Sequence, residues 1–291
     1  MKKNKYQYAL VLAMLLWGGG WSALKVLTPH VSMEVLVFWR FFLMSLSFLP
    51  ILYFLKKPLI LNKTSLGFIF ASSVLNIAFM IFSYLGVKHG FAGAAGVIIT
   101  TLSPIMTFLL IALLFRKKAP SIQYFGLFVG VIGGVIMLEL SSFELFMSGA
   151  NIYFLLCAII WAGVTLLAQY SHTHLHPIHY SFFISVIATI LSFFYGYGEG
   201  LLDVFEQSVS FWIALLYLAI LGQSVATTIF FLASGKLGSQ ITSSYMFLVP
   251  LFALLIAYLL LDEATESHVL IGGSLSLLAL YFINKKPLKS D

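Results

Sequence analysis

Charge is scarce in this chain. Asp, Glu, Lys and Arg supply 9% of its 291 residues, while hydrophobic residues supply 61%. A soluble domain carries about 25% charged residues. Too little polar sequence is present to cover so apolar a core in water, which excludes an ordinary soluble fold. Cysteine is nearly absent. Cys157 stands alone inside an apolar run, so no internal disulfide can form. No glycine-rich phosphate loop followed by Lys-Ser/Thr is present, which argues against ATP-driven pumping. No Ser/His/Asp set falls at one level and no zinc-protease motif occurs, so an enzyme is not expected and no cofactor is called for. The net charge of +6 does not point to nucleic acid, because no basic run exceeds three residues and each abuts an apolar segment.

What is present is a series of ten long apolar runs, with a mean hydropathy of +1.03. Their approximate limits are 8–27, 34–54, 66–86, 91–114, 121–138, 150–170, 178–197, 210–232, 239–260 and 268–284. Runs of about 17–25 apolar residues cross roughly 30 Å of hydrocarbon as helices, the form that satisfies every backbone group within one segment. The first run has a basic start like a signal peptide but no small-residue cleavage site, so it reads as a retained span. The connections alternate in charge. Lys2, Lys3 and Lys5, then Lys56, Lys57 and Lys63, then Arg116, Lys117 and Lys118, then Lys236, and finally Lys285, Lys286 and Lys289 fall on one side. Glu34, Glu139, Glu144, Glu199, Asp203, Glu206, Asp262, Glu263 and Glu266 fall on the other. Basic residues near helix ends are retained in the cytoplasm. The expectation is an all-α, multi-pass protein of the cell membrane, a bacterial inner membrane by this pattern, with both termini cytoplasmic.

The chain reads as two halves, 8–138 and 150–284, separated by the acidic stretch Glu139–Gly149. Shifting the first run by 144 brings Trp17 and Gly19 onto Trp161 and Gly163. Shifting the fourth and fifth by 146 brings Pro104 and Gly126 onto Pro250 and Gly272. Each half holds five spans, an odd number, so the second enters the membrane from the opposite side. That is an inverted-topology repeat, the architecture that allows alternating access around a midplane site.

Ionisable residues inside spans are expensive and are functional candidates by default. Arg40 sits about two turns into the second span and Lys25 in the last turns of the first. Both fall in the outer half of the membrane, where a guanidinium and an ammonium suit a carboxylate or phosphate. The bland readings are that Lys25 snorkels to headgroups and that Arg40 bonds carbonyls or Glu34. Trp17, Trp21, Trp161, Tyr84 and Tyr245 could enclose an amphipathic solute. Asn76, Gln223, Ser224, Thr227 and Thr228 need partners in lipid, either a neighbouring helix or a wet cavity. Gly18 and Gly20 could hinge the first span, and Pro104 and Pro250 loosen the fourth and ninth. His172, His174, His176 and His179 fall in a cytoplasmic connection and read as a solvated loop rather than a metal site.

The chain resembles the drug/metabolite transporter superfamily, specifically its EamA group of ten-helix carriers. The resemblance covers about residues 8 to 284. It rests on Trp17-Gly18 with Lys25, on Phe38-Trp39-Arg40-Phe41, on Pro104 and Pro250, and on Asp262-Glu263 before the tenth span. One departure is visible: the family's acid between the fourth and fifth helices has its counterpart in Glu263 but not at Lys117. The resemblance implies a secondary transporter, active as a monomer, with a cavity formed by helices 1–4 and 6–9. Small multidrug exporters of the superfamily depend on a membrane glutamate in helix 1, where this chain has Leu15-Leu16-Trp17-Gly18, so export of hydrophobic cations is disfavoured. The leading expectation is an exporter or facilitator of small carboxylate-bearing metabolites such as amino acids. A carrier of phosphorylated or nucleotide-like metabolites, a lipid-handling protein and a structural membrane partner are the alternatives.

Overall fold

The computed structural model describes residues 3–55, 61–90, 92–116, 119–137, 149–253, 256 and 267–285. Among the described residues all regular structure is helical. The first predicted span is α1 (Lys3–Gly18) and α2 (Gly20–Leu27), interrupted at Gly19. Then follow α3 (Met33–Leu55), α4 (Lys63–His89), α5 (Ala92–Phe115) and α6 (Ser121–Met137). The second half contains α7 (Asn151–Ser171), α8 (Pro177–Tyr195) and α9 (Val209–Leu216). From α9 the chain continues without a break through a π-helical stretch, Tyr217–Thr227, into α10 (Thr228–Leu237). A short helix, α11 (Ser239–Ser244), and a 3₁₀ turn, Tyr245–Leu248, open the ninth predicted span, which is helical at 249–253. The last element is α12 (Ser267–Asn284).

Among the described residues seven helical stretches are long and apolar enough to cross a membrane, two of them the joined stretches Asn4–Leu27 and Val209–Leu237, and two shorter apolar helices, Ser121–Met137 and Leu270–Asn284, accompany them. Several run past their predicted limits. The first begins at Lys3 instead of residue 8, and the third runs from Lys63 to His89 instead of 66–86. Lysines at helix ends stay helical while their ammonium groups lean toward water, so apolar content alone marks these helices too short. The acidic connections at 138–148 and 257–266 lie outside the described residues.

Local sequence explains the ends that are seen. Asn62 and Ser65 form a reciprocal capping box, each side chain accepting the other's backbone N–H at 2.8 Å, which starts α4 directly after the basic connection. His176 accepts from Ile178 N with Pro177 at the first helical position, an arrangement that starts α8. Large apolar side chains such as Phe54, Phe70, Phe128 and Phe194 face outward, as expected of a lipid-facing surface. Small residues face neighbours. An added Cβ on Gly272 would stand 2.5 Å from the Gly133 carbonyl, and one on Gly133 would stand 2.8 Å from the Gly272 carbonyl. At that crossing α6 and α12 meet backbone to backbone. α3 packs on α8 and α4 on α7. Between helices, the Ser72 and Tyr180 hydroxyls pair, and Ser47 pairs with Ser224 at 2.5 Å.

Candidate functional site

α1 and α2 place Trp17, Gly20, Trp21 and Leu24 on one stripe, at helical spacings of three and four residues. α4 does the same with Asn76, Phe79, Met80 and Ser83. These two stripes face each other across a cavity of about 90 Å³. Arg40 from α3, Ile99 and Thr100 from α5, and Trp161 from α7 close its sides. Leu218, Gly222, Gln223 and Thr227 come from the π-helical stretch, with Met246 and Val249 from the ninth span. Elements of the predicted spans 1–4, 6, 8 and 9 contribute. α8, the seventh, supplies no lining residue among those described, because it packs behind α3 and α4.

The break in the first span and the widened turns of Tyr217–Thr227 face each other and exchange hydrogen bonds. Trp17 Nε1 donates to Gly222 O at 2.9 Å, and Tyr217 Oη donates to Leu16 O at 2.7 Å. The Thr227 hydroxyl also donates to Gly222 O, at 3.3 Å, five residues back, as a π-helical turn dictates. Gly19 permits this approach, and Gly18 permits that of the ninth span. A Cβ on Gly19 would stand 2.6 Å from Tyr217 Oη, and one on Gly18 would stand 2.9 Å from Ala253 N. Gly20 has room, with Leu218 Cδ2 at 3.4 Å from its would-be Cβ.

An aromatic box forms one end of the cavity. The Trp17 and Trp161 rings meet edge to face at 5.2 Å, and Phe79 lies 4.9 Å from Trp161, geometries that suit the ring quadrupoles. Trp161 Nε1 is buried with no hydrogen-bond partner. So are Arg40 Nε and both polar atoms of the Gln223 amide, although Gln223 is only 4% exposed. Buried polar groups are ordinarily paired, and these three unpaired donors belong to residues that line one cavity. Asn76 is partly committed, donating Nδ2 to Ser72 O at 2.8 Å. Among the described residues Arg40 is the sole charged one in the lining, and no acidic residue stands beside it there. Glu34 lies instead against the Tyr195 hydroxyl.

The structure brings Trp17, Trp21, Arg40, Asn76, Trp161, Gln223 and Gly20 to one cavity. It places seven other candidates elsewhere. The exposed Lys25 donates its ammonium to Val87 O at 2.8 Å and Gly90 O at 3.0 Å, where it caps the C-terminal end of α4. It does not share a vestibule with Arg40. Tyr84 donates to Thr28 O and Val31 O at 3.1 and 2.7 Å and so fastens the connection between α2 and α3. Ser224 is occupied by Ser47 and by Ala219 O. Tyr245 is buried outside the lining. Pro104 and Pro250 are buried in their helices, and Gly18 is packed against Phe252 and Ala253. Among the described residues no group of three or more His, Cys, Asp or Glu could hold a metal.

The model of the EamA-like transporter family matches the chain twice, over residues 5–139 and 148–285. A protein of Archaeoglobus fulgidus named an uncharacterized transporter is 26% identical over 97% of this chain and 98% of its own length. A chloroplastic WAT1-related protein of Arabidopsis thaliana is 29% identical over 68% of this chain and 50% of its own. A probable amino-acid metabolite efflux pump of Salmonella typhimurium is 22% identical over 96% and 94% of the two chains. One crystal structure superposes with a TM-score of 0.69 at 17% identity over 96% of this chain and 97% of that one, a likeness of fold. The chain belongs to the EamA-like transporter family and is a multi-pass membrane transporter, not an enzyme.

Proposed function

We propose that this protein is a secondary transporter that exports, or facilitates the passage of, small carboxylate-bearing metabolites such as amino acids. One observation carries the reading: the Arg40 guanidinium lines an apolar, Trp-walled cavity without an acidic partner among the described lining residues. A guanidinium is always charged and presents a planar fork that matches a carboxylate in two hydrogen bonds. Taken from water without a counter-ion it is costly, and a substrate carboxylate removes that cost. The Gln223 amide and the Trp161 indole N–H would hold the remaining oxygen lone pairs. The aromatic box would hold the apolar body.

In this reading ten spans form two inverted five-helix halves, 8–138 and 150–284, with both termini cytoplasmic, and a monomer suffices. Support comes from the pairing of equivalent parts. Trp17 meets Trp161, α6 meets α12, and α3 meets α8. The two halves rock so that the cavity faces one side at a time. The name of the Salmonella relative accords with this substrate class.

Thermal stability of the purified protein tests the assignment, because a ligand that binds only the folded state raises Tm by mass action. Small carboxylates are expected to stabilise the protein in a concentration-dependent way, and Arg40→Gln is expected to abolish the effect. Stabilisation that persists in Arg40→Gln would remove Arg40 from the site.

A further inference from the structure

We infer that the cavity selects a net monoanion with an apolar body over the zwitterion of the same skeleton. The inference rests on Arg40 as the carboxylate anchor; it narrows that reading from carboxylates in general to one charge class and ranks zwitterionic amino acids below monoanions of the same skeleton.

The charge inventory of the cavity carries it. One guanidinium lines the cavity, and among the described residues its lining holds no carboxylate, no second cation and no histidine. A monoanion therefore leaves the closed cavity neutral. A zwitterion brings an ammonium as well, so the closed cavity keeps a net charge of one. Among the described residues the ammonium finds neutral acceptors alone, the Gln223 and Asn76 amides and the hydroxyls of Ser83, Thr100 and Thr227. A neutral dipole supplies a hydrogen bond but not a counter-charge, and a desolvated charge without a partner is the costlier state. The lining around it is dominated by Trp17, Trp21, Trp161, Phe79, Met80 and Leu24, which match hydrocarbon; their ring faces attract an ammonium, but by less than a buried charge without a counter-ion costs.

The buried amide of Gln223 makes the inference testable without changing the size of the site. Its two polar atoms are unpaired and 4% of the residue is exposed, so Gln223→Glu substitutes a carboxylate in place. That variant supplies the anion the cavity lacks, cancels the Arg40 charge and offers an ammonium a partner. The monoanion then loses its advantage and the zwitterion gains one.

The experiment compares three solutes of one branched skeleton: 4-methylpentanoate, leucine and 3-methylbutylamine. Each is titrated against the full-length purified protein with thermal unfolding as the readout. In the unchanged protein 4-methylpentanoate is expected to stabilise at a concentration at least about tenfold lower than leucine, and the amine not at all. Gln223→Glu is expected to reverse the order of the two carboxylates. If Gln223→Glu fails to give a monodisperse protein, Asn76→Asp places the same charge on the α4 side of the lining and carries the same expectation. Equal or stronger stabilisation by leucine in the unchanged protein would overturn the charge-class inference. In that case the loss of leucine's effect in Arg40→Gln would still leave the carboxylate reading intact. Stabilisation by neither carboxylate would overturn both.

Discussion

Two hydrogen bonds tie the broken first span to the widened turns of the eighth, and one of them can be removed almost without changing shape. Tyr217→Phe deletes the 2.7 Å bond from Tyr217 Oη to Leu16 O and leaves the ring in place. Hydrogen bonds between membrane helices contribute about 0.6 kcal/mol on average and about 1.7 at most, because the unfolded chain in the bilayer also finds partners. If this bond exists only while the cavity is closed, its loss shifts the closed–open balance by that amount. At 1.36 kcal/mol per factor of ten, the shift is about three- to eighteen-fold. The chain's only cysteine, Cys157, is buried, so a thiol introduced at Gly20 reports alone. Gly20 lines the cavity and, among the described residues, its Cβ would meet Leu218 Cδ2 alone, at 3.4 Å, an ordinary contact. Labelling of Gly20→Cys by a water-soluble maleimide in liposomes is expected to speed up by that factor when Tyr217→Phe is added. An unchanged labelling rate together with a lowered Tm would refute the reasoning and make the bond plain inter-helix packing present in every state.

Three further outcomes are expected. Gly272→Ala pushes a methyl to within 2.5 Å of the Gly133 carbonyl and 2.3 Å of Met137 Cγ. It should cost about 1–3 kcal/mol of stability by overpacking, and unfolding in mixed detergent at wild-type stability would contradict the backbone crossing. Lys25→Met removes the cap on α4 and should lower stability by about 0.3–1 kcal/mol while leaving carboxylate affinity unchanged; a large loss of affinity would return Lys25 to the site. The His172 imidazole, in the connection after α7, is held below its ordinary pKa by burial and by nearby Lys236 and His176. Its neutral form is favoured in the fold, so the unfolded chain binds the proton more readily. Stability is then complete above about pH 6.5 and declines as pH falls below it. His172→Gln should flatten the Tm profile between about pH 7 and 5, and an unaltered acid slope would assign the sensitivity to other groups.

Much of the cavity is written in helical spacing. Trp17, Trp21 and Asn76 stand out in the sequence as polar-edged or polar groups inside apolar runs. Phe79, Met80 and Ser83 do not stand out, yet they follow Asn76 at three, four and seven residues, the same steps that join Trp17 to Gly20, Trp21 and Leu24. Anchoring the stripe on Asn76 would have found them. Lys25 shows the limit of that rule. It extends the stripe one turn beyond Trp21, but at that level the neighbour is the end of α4, and the carbonyls of Val87 and Gly90 take the ammonium. No local pattern announces the π-helical stretch. Its back-bonds, Ser224 to Ala219 O and Thr227 to Gly222 O, span five residues, whereas the apolar pattern of a buried segment fits either period. Tyr84 and Tyr245 mislead for a common reason: a tyrosine in a span needs a partner for its hydroxyl, and for Tyr84 backbone carbonyls between α2 and α3 serve as well as a substrate would.

The most direct test of the account is carboxylate flux through Arg40. The full-length protein is reconstituted into liposomes, and entry of a radiolabelled small carboxylate is followed beside protein-free liposomes, with Arg40→Gln and Lys25→Met in parallel. The account predicts protein-dependent, saturable uptake that Lys25→Met retains and Arg40→Gln loses while still purifying as a folded protein. Uptake undiminished in Arg40→Gln would contradict the assignment of the guanidinium as the substrate's counter-charge.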